Sequence, residues 1–153
     1  MIRRASATDA STLARLNAHV QSWHAAHYPE AFFPSPDPTA LTEYFADRLS
    51  DPGCTAFLVS DPATAYALCQ LQTKERSIFS PGYRRLMIDH IAVAPEARRQ
   101  GQGRALLDAA RSLATDLKVD EILLDTWEAN HDAHAFFRAA GFQPRRMLFR
   151  ATP

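Results

Sequence analysis

An apolar run, Leu86-Met87-Ile88-Asp89-His90-Ile91-Ala92-Val93, feeds into Gln100-Gly101-Gln102-Gly103 and then into Ala105-Leu106-Leu107-Asp108-Ala109-Ala110. No other passage constrains the fold so tightly. The first run predicts a strand from about Arg84 to Val93, and the last predicts a helix burying Leu106, Leu107, Ala110 and Leu113, with Leu117 at its end. Two of the chain's five glycines sit in the turn between them. Glycine admits positive φ and lets another molecule approach without meeting a Cβ.

A turn of this kind gathers free amides with those of the helix start, which together attract an anion. Arg98, Arg99 and Arg104 add positive charge, so a phosphate or pyrophosphate suits it. Spacing narrows the choice. A dinucleotide fingerprint needs a small residue where Leu106 stands, and a P-loop needs a Lys-Ser or Lys-Thr pair that the chain lacks.

The remaining chain reads as alternating elements. Ile2 to Ala5 is a short strand, and Thr8 or Asp9 caps a helix with Leu13, Leu16, Val20 and Trp23 on one face. Prolines 29, 34, 36 and 38 stiffen a loop, and Pro38 opens a second helix with Leu41, Phe45 and Leu49 inward. Cys54–Ser60 and Thr64–Thr73 form a hairpin. Val119–Trp127 is a strand whose Ile122-Leu123-Leu124 suits burial on both faces. Asn130 or Asp132 starts a helix that Gly141 closes. Phe142 to Arg150 supplies one or two last strands. The order is β-α-α-β-β-β-α-β-α-β: an α/β (α+β) domain spanning 1–153, with a mixed sheet of about six to seven strands and about four helices.

Arg98-x-x-Gly101-x-Gly103 after a strand resembles the coenzyme A pyrophosphate loop of the GNAT superfamily of N-acetyltransferases. Asn130-x-x-Ala133-x-x-Phe136-Phe137-x-x-x-Gly141-Phe142 is similar to that family's N-x-x-A-x-x-F-Y-x-x-x-G-F segment, in the right order and context. The matched region runs from about 84 to 142. The resemblance implies the GNAT fold and transfer of an acetyl group from acetyl-CoA to a primary amine by direct attack in a ternary complex. It further implies that Arg98, Arg99, Gln100, Gly101, Gln102, Gly103 and Arg104 hold the cofactor's pyrophosphate. Backbone amides among Ile91, Ala92 and Val93 polarise the thioester, and Asn130 and Phe137 contact the cofactor arm.

The ammonium of an acceptor must lose a proton before it attacks. Asp89 and His90 are the polar residues of the apolar strand. Strand alternation puts Asp89 with Met87, Ile91 and Val93 on one face and His90 with Ile88 and Ala92 on the other. Asp89 occupies the position at which the family often carries its base, and His90 is the second candidate. Phe137 stands where the family's tyrosine protonates the departing thiolate. Its ring has no proton to give, which keeps open the alternative of a non-catalytic acyl-CoA sensor or partner subunit.

The aromatics Trp23, Tyr28, Phe32, Phe33, Tyr44 and Phe45 cluster where the family's acceptor site is walled, with Glu30, Glu128 and Asp89 able to attract an ammonium. The expected acceptor is a small-molecule amine or a peptide or protein N-terminus, and a homodimer stays open. Zero net charge argues against nucleic acid, and no apolar run reaches membrane-spanning length. Met1-Ile2-Arg3-Arg4 leads into no signal-peptide core, and Cys54 and Cys69 match no metal or redox spacing, so a cytoplasmic address is expected. The pairs His24/His27 and His131/His134 lack a third ligand, and no metal is expected.

Overall fold

The computed structural model describes residues 1–153. Its elements are β1 (Ile2–Arg4), α1 (Ala10–His27), α2 (Pro38–Ser50), β2 (Cys54–Val59), β3 (Ala65–Lys74), β4 (Tyr83–Val93), α3 (Gln102–Asp116), β5 (Glu121–Leu123) and α4 (His131–Ala139), with short 3-10 turns at Ala7–Asp9 and Pro95–Ala97. The strands form one sheet in the order β1-β2-β3-β4-β5. Its first three pairings are antiparallel, and β5 lies parallel to β4.

Helix starts follow their capping chemistry. The Asp37 carboxylate accepts from Ala40 N (2.8 Å) with Pro38 at the first helical position, and Asn130 Oδ1 accepts from Ala133 N (3.2 Å). Asp9 stands at the N-cap position of α1, but its carboxylate turns back, accepting from Ser6 N (2.7 Å) and from both terminal nitrogens of Arg3 (2.7 and 2.8 Å). Gly141, at φ 88°, closes α4 as expected.

Each sheet face is covered by a helix pair. Leu86, Ile88, Ala65, Ala67 and Cys69 pack with Leu106, Leu107, Ala110 and Leu113 of α3 and Phe137 of α4. On the opposite face Leu58, Tyr66, Leu68 and Ala92 pack with Leu13 and Leu16 of α1 and Phe45 of α2. Strand period and helix period thus meet in two apolar layers. Cys69 is buried among them, which pushes its thiol pKa up to about 12, whereas Cys54 is only half-buried.

Four expectations change. The sheet has five strands rather than six to seven. Only Glu121–Leu123 of the run from Val119 to Trp127 is strand, and Ile122, Leu123 and Leu124 are partly exposed. β5 sits at the sheet edge, with a neighbour on one side only. Residues 142–150 form no strand at all. An extended segment becomes a strand only when another strand accepts its hydrogen bonds, and nothing in this chain pairs with that one.

The fourth correction concerns alternation along β4. Cys69 pairs with Ile88 and Leu68 with His90, leaving Asp89 without a partner on β3. This is a β-bulge, and the extra residue reverses the phase of everything after it. Leu86 and Ile88 face α3, and so do Ile91 and Val93, while Ala92 faces α1 and α2. Ile88 therefore does not share a face with Ala92, and Asp89 does not share one with Ile91 and Val93.

Candidate active site

The bulge turns Asp89 and His90, the two polar residues of the run 86–93, toward α2. Arg48 Nη2 of α2 donates to Asp89 Oδ2. The two side chains are 24% and 27% exposed, so the pair is shielded yet reachable. Burial pushes the Asp89 carboxyl above the ordinary range, and the Arg48 guanidinium offsets part of that rise. Asp125, just past β5, raises it a little further. Tyr44 and Cys54 stand beside the same guanidinium, and both have raised pKa values, chiefly because they are buried.

His90 is enclosed by aromatic rings, with Phe45 edge-on at 5.7 Å and Tyr66 edge-on at 6.2 Å. Its Nδ1 lies 3.2 Å from the Tyr66 hydroxyl, which accepts from Asn17 Nδ2 at 2.9 Å. Burial first, then the charges of Arg48 and His24, lower its pKa to about 4. His90 is therefore neutral at pH 7. Its low basicity and its enclosure by rings make it a poor proton acceptor near neutral pH.

β4 loses its second neighbour at the same level. Pairing with β5 ends at Met87 and Leu123, whereas β4 continues to Val93. Ala94 N donates to Thr64 O across β3 (2.8 Å). Alternation then sends the Ala92 amide toward β3 and those of Ile91 and Val93 to the unpaired edge. The Val93 carbonyl, on that same edge, accepts from Arg98 Nε at 3.3 Å.

The turn below this edge is a row of unclaimed donors. Arg98 N donates to Pro95 O and Ala105 N to Gly101 O; the amides of residues 99 to 104 between them have no acceptor. Arg99 (φ 62°) and Gly101 (φ 79°) take left-handed backbone conformations, which shape the loop. Gln102 fastens it from behind, its Oε1 accepting from Thr64 Oγ1 at 2.9 Å. Gln100 Nε2 donates to Glu96 O, and Arg104 forms an ion pair with Asp108 at 3.5 Å. Arg98, Arg99 and Arg104 are all exposed around the mouth.

The two glycines play different parts. A Cβ on Gly101 would meet nothing within 4 Å, so that side of the turn is open to a ligand. A Cβ on Gly103 would stand 3.0 Å from Phe136 Cζ, so this glycine also lets α3 and α4 approach each other. The group that fits is a pyrophosphate over Gly101, held by neutral amides and surrounding arginines.

Asn130 N-caps α4. Phe137 is 7% exposed and belongs to the core beneath α3 and α4. Of the predicted acceptor wall, Phe45 is core, and Phe33 is exposed, its carbonyl accepting from Gln21. Tyr28 and Phe32 instead gather around Trp127, at 4.3 and 5.2 Å between ring centroids, and His24 stacks on Phe32 at 4.6 Å. Tyr28 Oη accepts from Ala129 N at 2.9 Å, tying the first helix to the segment after β5. Glu30 is occupied by Arg150 at 3.2 Å. No group of three or more His, Cys, Asp or Glu side chains is arranged to hold a metal ion.

Sequence reasoning missed Arg48, Tyr66, Asn17 and Trp127. Asn17 and Arg48 did leave a signal: each is a polar residue at helical spacing within an apolar stripe, near Leu13 and Leu16 and near Phe45 and Leu49. Tyr66 left none, since a tyrosine in a strand is unremarkable.

The family model described as the acetyltransferase (GNAT) family matches residues 18–142. Among solved structures, a tetramutant of the BH1408 protein from Bacillus halodurans superposes with a TM-score of 0.91 at 22% identity, over 100% of this chain and 99% of that one. The aminoglycoside N-acetyltransferase AAC(6')-Iy, in complex with a bisubstrate analogue of CoA, superposes at 0.77 and 18% identity, over 100% and 97%. A ribosomal-protein-alanine N-acetyltransferase from Brucella melitensis biovar Abortus 2308 gives 0.71 at 16%, over 99% and 98%. At these identities the likeness is one of fold. No curated protein sequence matches the chain.

Proposed function

The chain belongs to the GNAT acetyltransferase family and is an acyltransferase, and from that premise we propose that it transfers an acetyl group from acetyl-CoA to a primary amine by direct attack. The observation that carries this reading is the position of Asp89. It lies where β4 is bulged away from β3 and has just parted from β5, beside amides with no strand to bond.

In this reading the amides of residues 99 to 104 hold the pyrophosphate, with Arg98, Arg99 and Arg104 supplying positive potential. The arm of the substrate runs along the open edge of β4. There the amides of Ile91 and Val93 donate to the thioester oxygen, where negative charge develops during attack. Asp89, directly or through water, takes a proton from the acceptor ammonium. The freed nitrogen lone pair forms the new C–N bond, and the C–S bond breaks to release a thiolate. The thiolate takes its proton from water, because Phe137 has none to give. Its modest basicity, with a thiol pKa near 8.5, makes that tolerable.

Arg48 has a defined part here. It fixes the rotamer of Asp89 and offsets part of the rise that burial imposes on its carboxyl. The ring cluster of Tyr28, Phe32 and Trp127 borders the acceptor end, so the acceptor carries some apolar body besides its amine. Small-molecule amines and peptide or protein N-termini both meet that description. No helix is long and apolar enough to cross a membrane.

The test is thiol release from acetyl-CoA against a panel of amines, peptides and aminoglycosides, with calorimetric CoA binding alongside. Amine-dependent release is expected. Tight CoA binding with no release on any acceptor would overturn the catalytic reading.

A further inference from the structure

A buried polar chain stands behind His90. Asn17 of α1 is 6% exposed and Tyr66 of β3 is wholly buried, so neither can turn to water for its hydrogen bonds. The protons along this chain can be placed one by one. Asn17 Nδ2 donates to Tyr66 Oη at 2.9 Å, which leaves the hydroxyl its own single proton to give. Its other neighbour is His90 Nδ1, at 3.2 Å. Nδ1 therefore accepts, and a neutral imidazole that accepts at Nδ1 carries its hydrogen at Nε2. Burial raises the pKa of Tyr66 and lowers that of His90, so both groups keep these forms at neutral pH.

His90 Nε2 bonds to no group of the chain. The buried side-chain atoms that lack a partner are Arg48 Nε and Gln70 Oε1, so Nε2 is not sealed in and its hydrogen reaches open space. Tyr44, 41% exposed, lies over the His90 ring at 6.1 Å and 25°, and the charges of Arg48 and Asp89 both act on it. Asp89 bonds Arg48 through Oδ2 and leaves Oδ1 free. A carboxylate and a neutral N–H donor thus stand on consecutive residues, with Cα atoms about 3.8 Å apart, both turned toward α2.

We propose that His90 is a specificity-determining donor: its Nε2–H bonds a carbonyl or hydroxyl oxygen of the acceptor, within a few bonds of the amine that faces Asp89. Tyr66 and Asn17 are the positioning residues that hold the ring in this tautomer. The proposal rests on the acetyl-transfer reading above and names the kind of amine that reading leaves open. No proton leaves Nε2, so the role is recognition and not acid or base catalysis. An acceptor without the oxygen leaves a half-enclosed N–H unpaired, and that omission is what the site penalises.

Nitrogen-15 NMR of the imidazole ring at pH 7 should place the His90 hydrogen on Nε2. Tyr66→Phe removes the hydroxyl but keeps the ring, and it should move a measurable fraction of that hydrogen to Nδ1. Turnover is then compared on phenylalaninamide, with a carbonyl oxygen, phenylalaninol, with a hydroxyl, and 2-phenylethylamine, with neither. His90→Leu should lower kcat/KM on at least one of the first two by about three- to tenfold more than on the third. The arm that falls identifies the oxygen. His90→Gln, whose side-chain amide can donate from near Nε2, should recover part of the loss. Comparing each acceptor with itself in the two chains cancels differences in amine basicity. A hydrogen on Nδ1 in the unaltered chain, or equal losses on all three acceptors, overturns the proposal. Turnover of no amine overturns the acetyl-transfer reading and the recognition role with it, and the ring spectrum tells that failure from a wrong tautomer. Should Tyr66→Phe fold poorly, the spectrum of the unaltered chain and the His90 variants decide.

Discussion

Arg48 of α2 and Asp89 of β4, 41 residues apart in the chain, form an ion pair at the point where β4 is paired to neither neighbouring strand. The bulge that makes this contact also phases the strand beyond it, so Ile91 and Val93 turn their amides outward. One inserted residue thus sets both the proposed proton acceptor and the proposed donors for the thioester oxygen.

Asp89→Asn keeps the shape of the side chain and removes its basicity. Turnover at neutral pH should fall by about 100-fold or more, the range usual for a general base. It should recover in part at alkaline pH, where more of the acceptor is already deprotonated. CoA affinity, measured by calorimetry, should not change. A pH–rate profile identical to that of the unaltered enzyme would remove Asp89 from the mechanism.

The glycine turn separates binding from packing. Gly101→Val places a Cβ in open space, but at φ 79°, where a side chain costs about 1–2 kcal/mol. The variant should fold with a modestly lowered Tm and lose measurable CoA binding. Gly103→Val should lose binding too, with a larger drop in Tm, because its Cβ meets Phe136. Undiminished CoA affinity in folded Gly101→Val would sink the pyrophosphate assignment.

His90 gives a pH signature in stability. Its pKa falls from the usual 6.5 to about 4 on folding, so between those values the unfolded chain binds the extra proton. Stability from this group is complete above pH 6.5, declines as the pH falls toward 4, and levels off below. The effect is on the order of 3 kcal/mol. Urea midpoints of the unaltered chain and His90→Gln, compared at pH 7 and pH 4.5, should show a smaller loss in the variant. Equal losses would mean that His90 titrates freely.

Phe137 separates packing from proton donation. Phe137→Ala should cost about 3–5 kcal/mol through the cavity left beneath α3 and α4. Phe137→Leu should keep turnover within a few-fold, because the residue it replaces supplies no proton. A collapse of kcat in folded Phe137→Leu would show that the ring itself orients the reacting groups.

Sequence alone determined the strand, glycine turn and helix at 84–116, the start of α2 at Pro38, the capping of α4, the hairpin of β2 and β3, and the family motifs. Each depends on the residues themselves: a proline that fixes φ, a glycine that admits positive φ, an apolar period of two or 3.6. Tertiary structure alone decided where Asp89 looks, because a bulge exists only against the strand it is counted from. It likewise brought in Arg48, Tyr66 and Asn17, which lie far from His90 and Asp89 in the chain. It also decided that residues 142–150 are not a strand, since a strand is a property of two segments and no other segment pairs with this one.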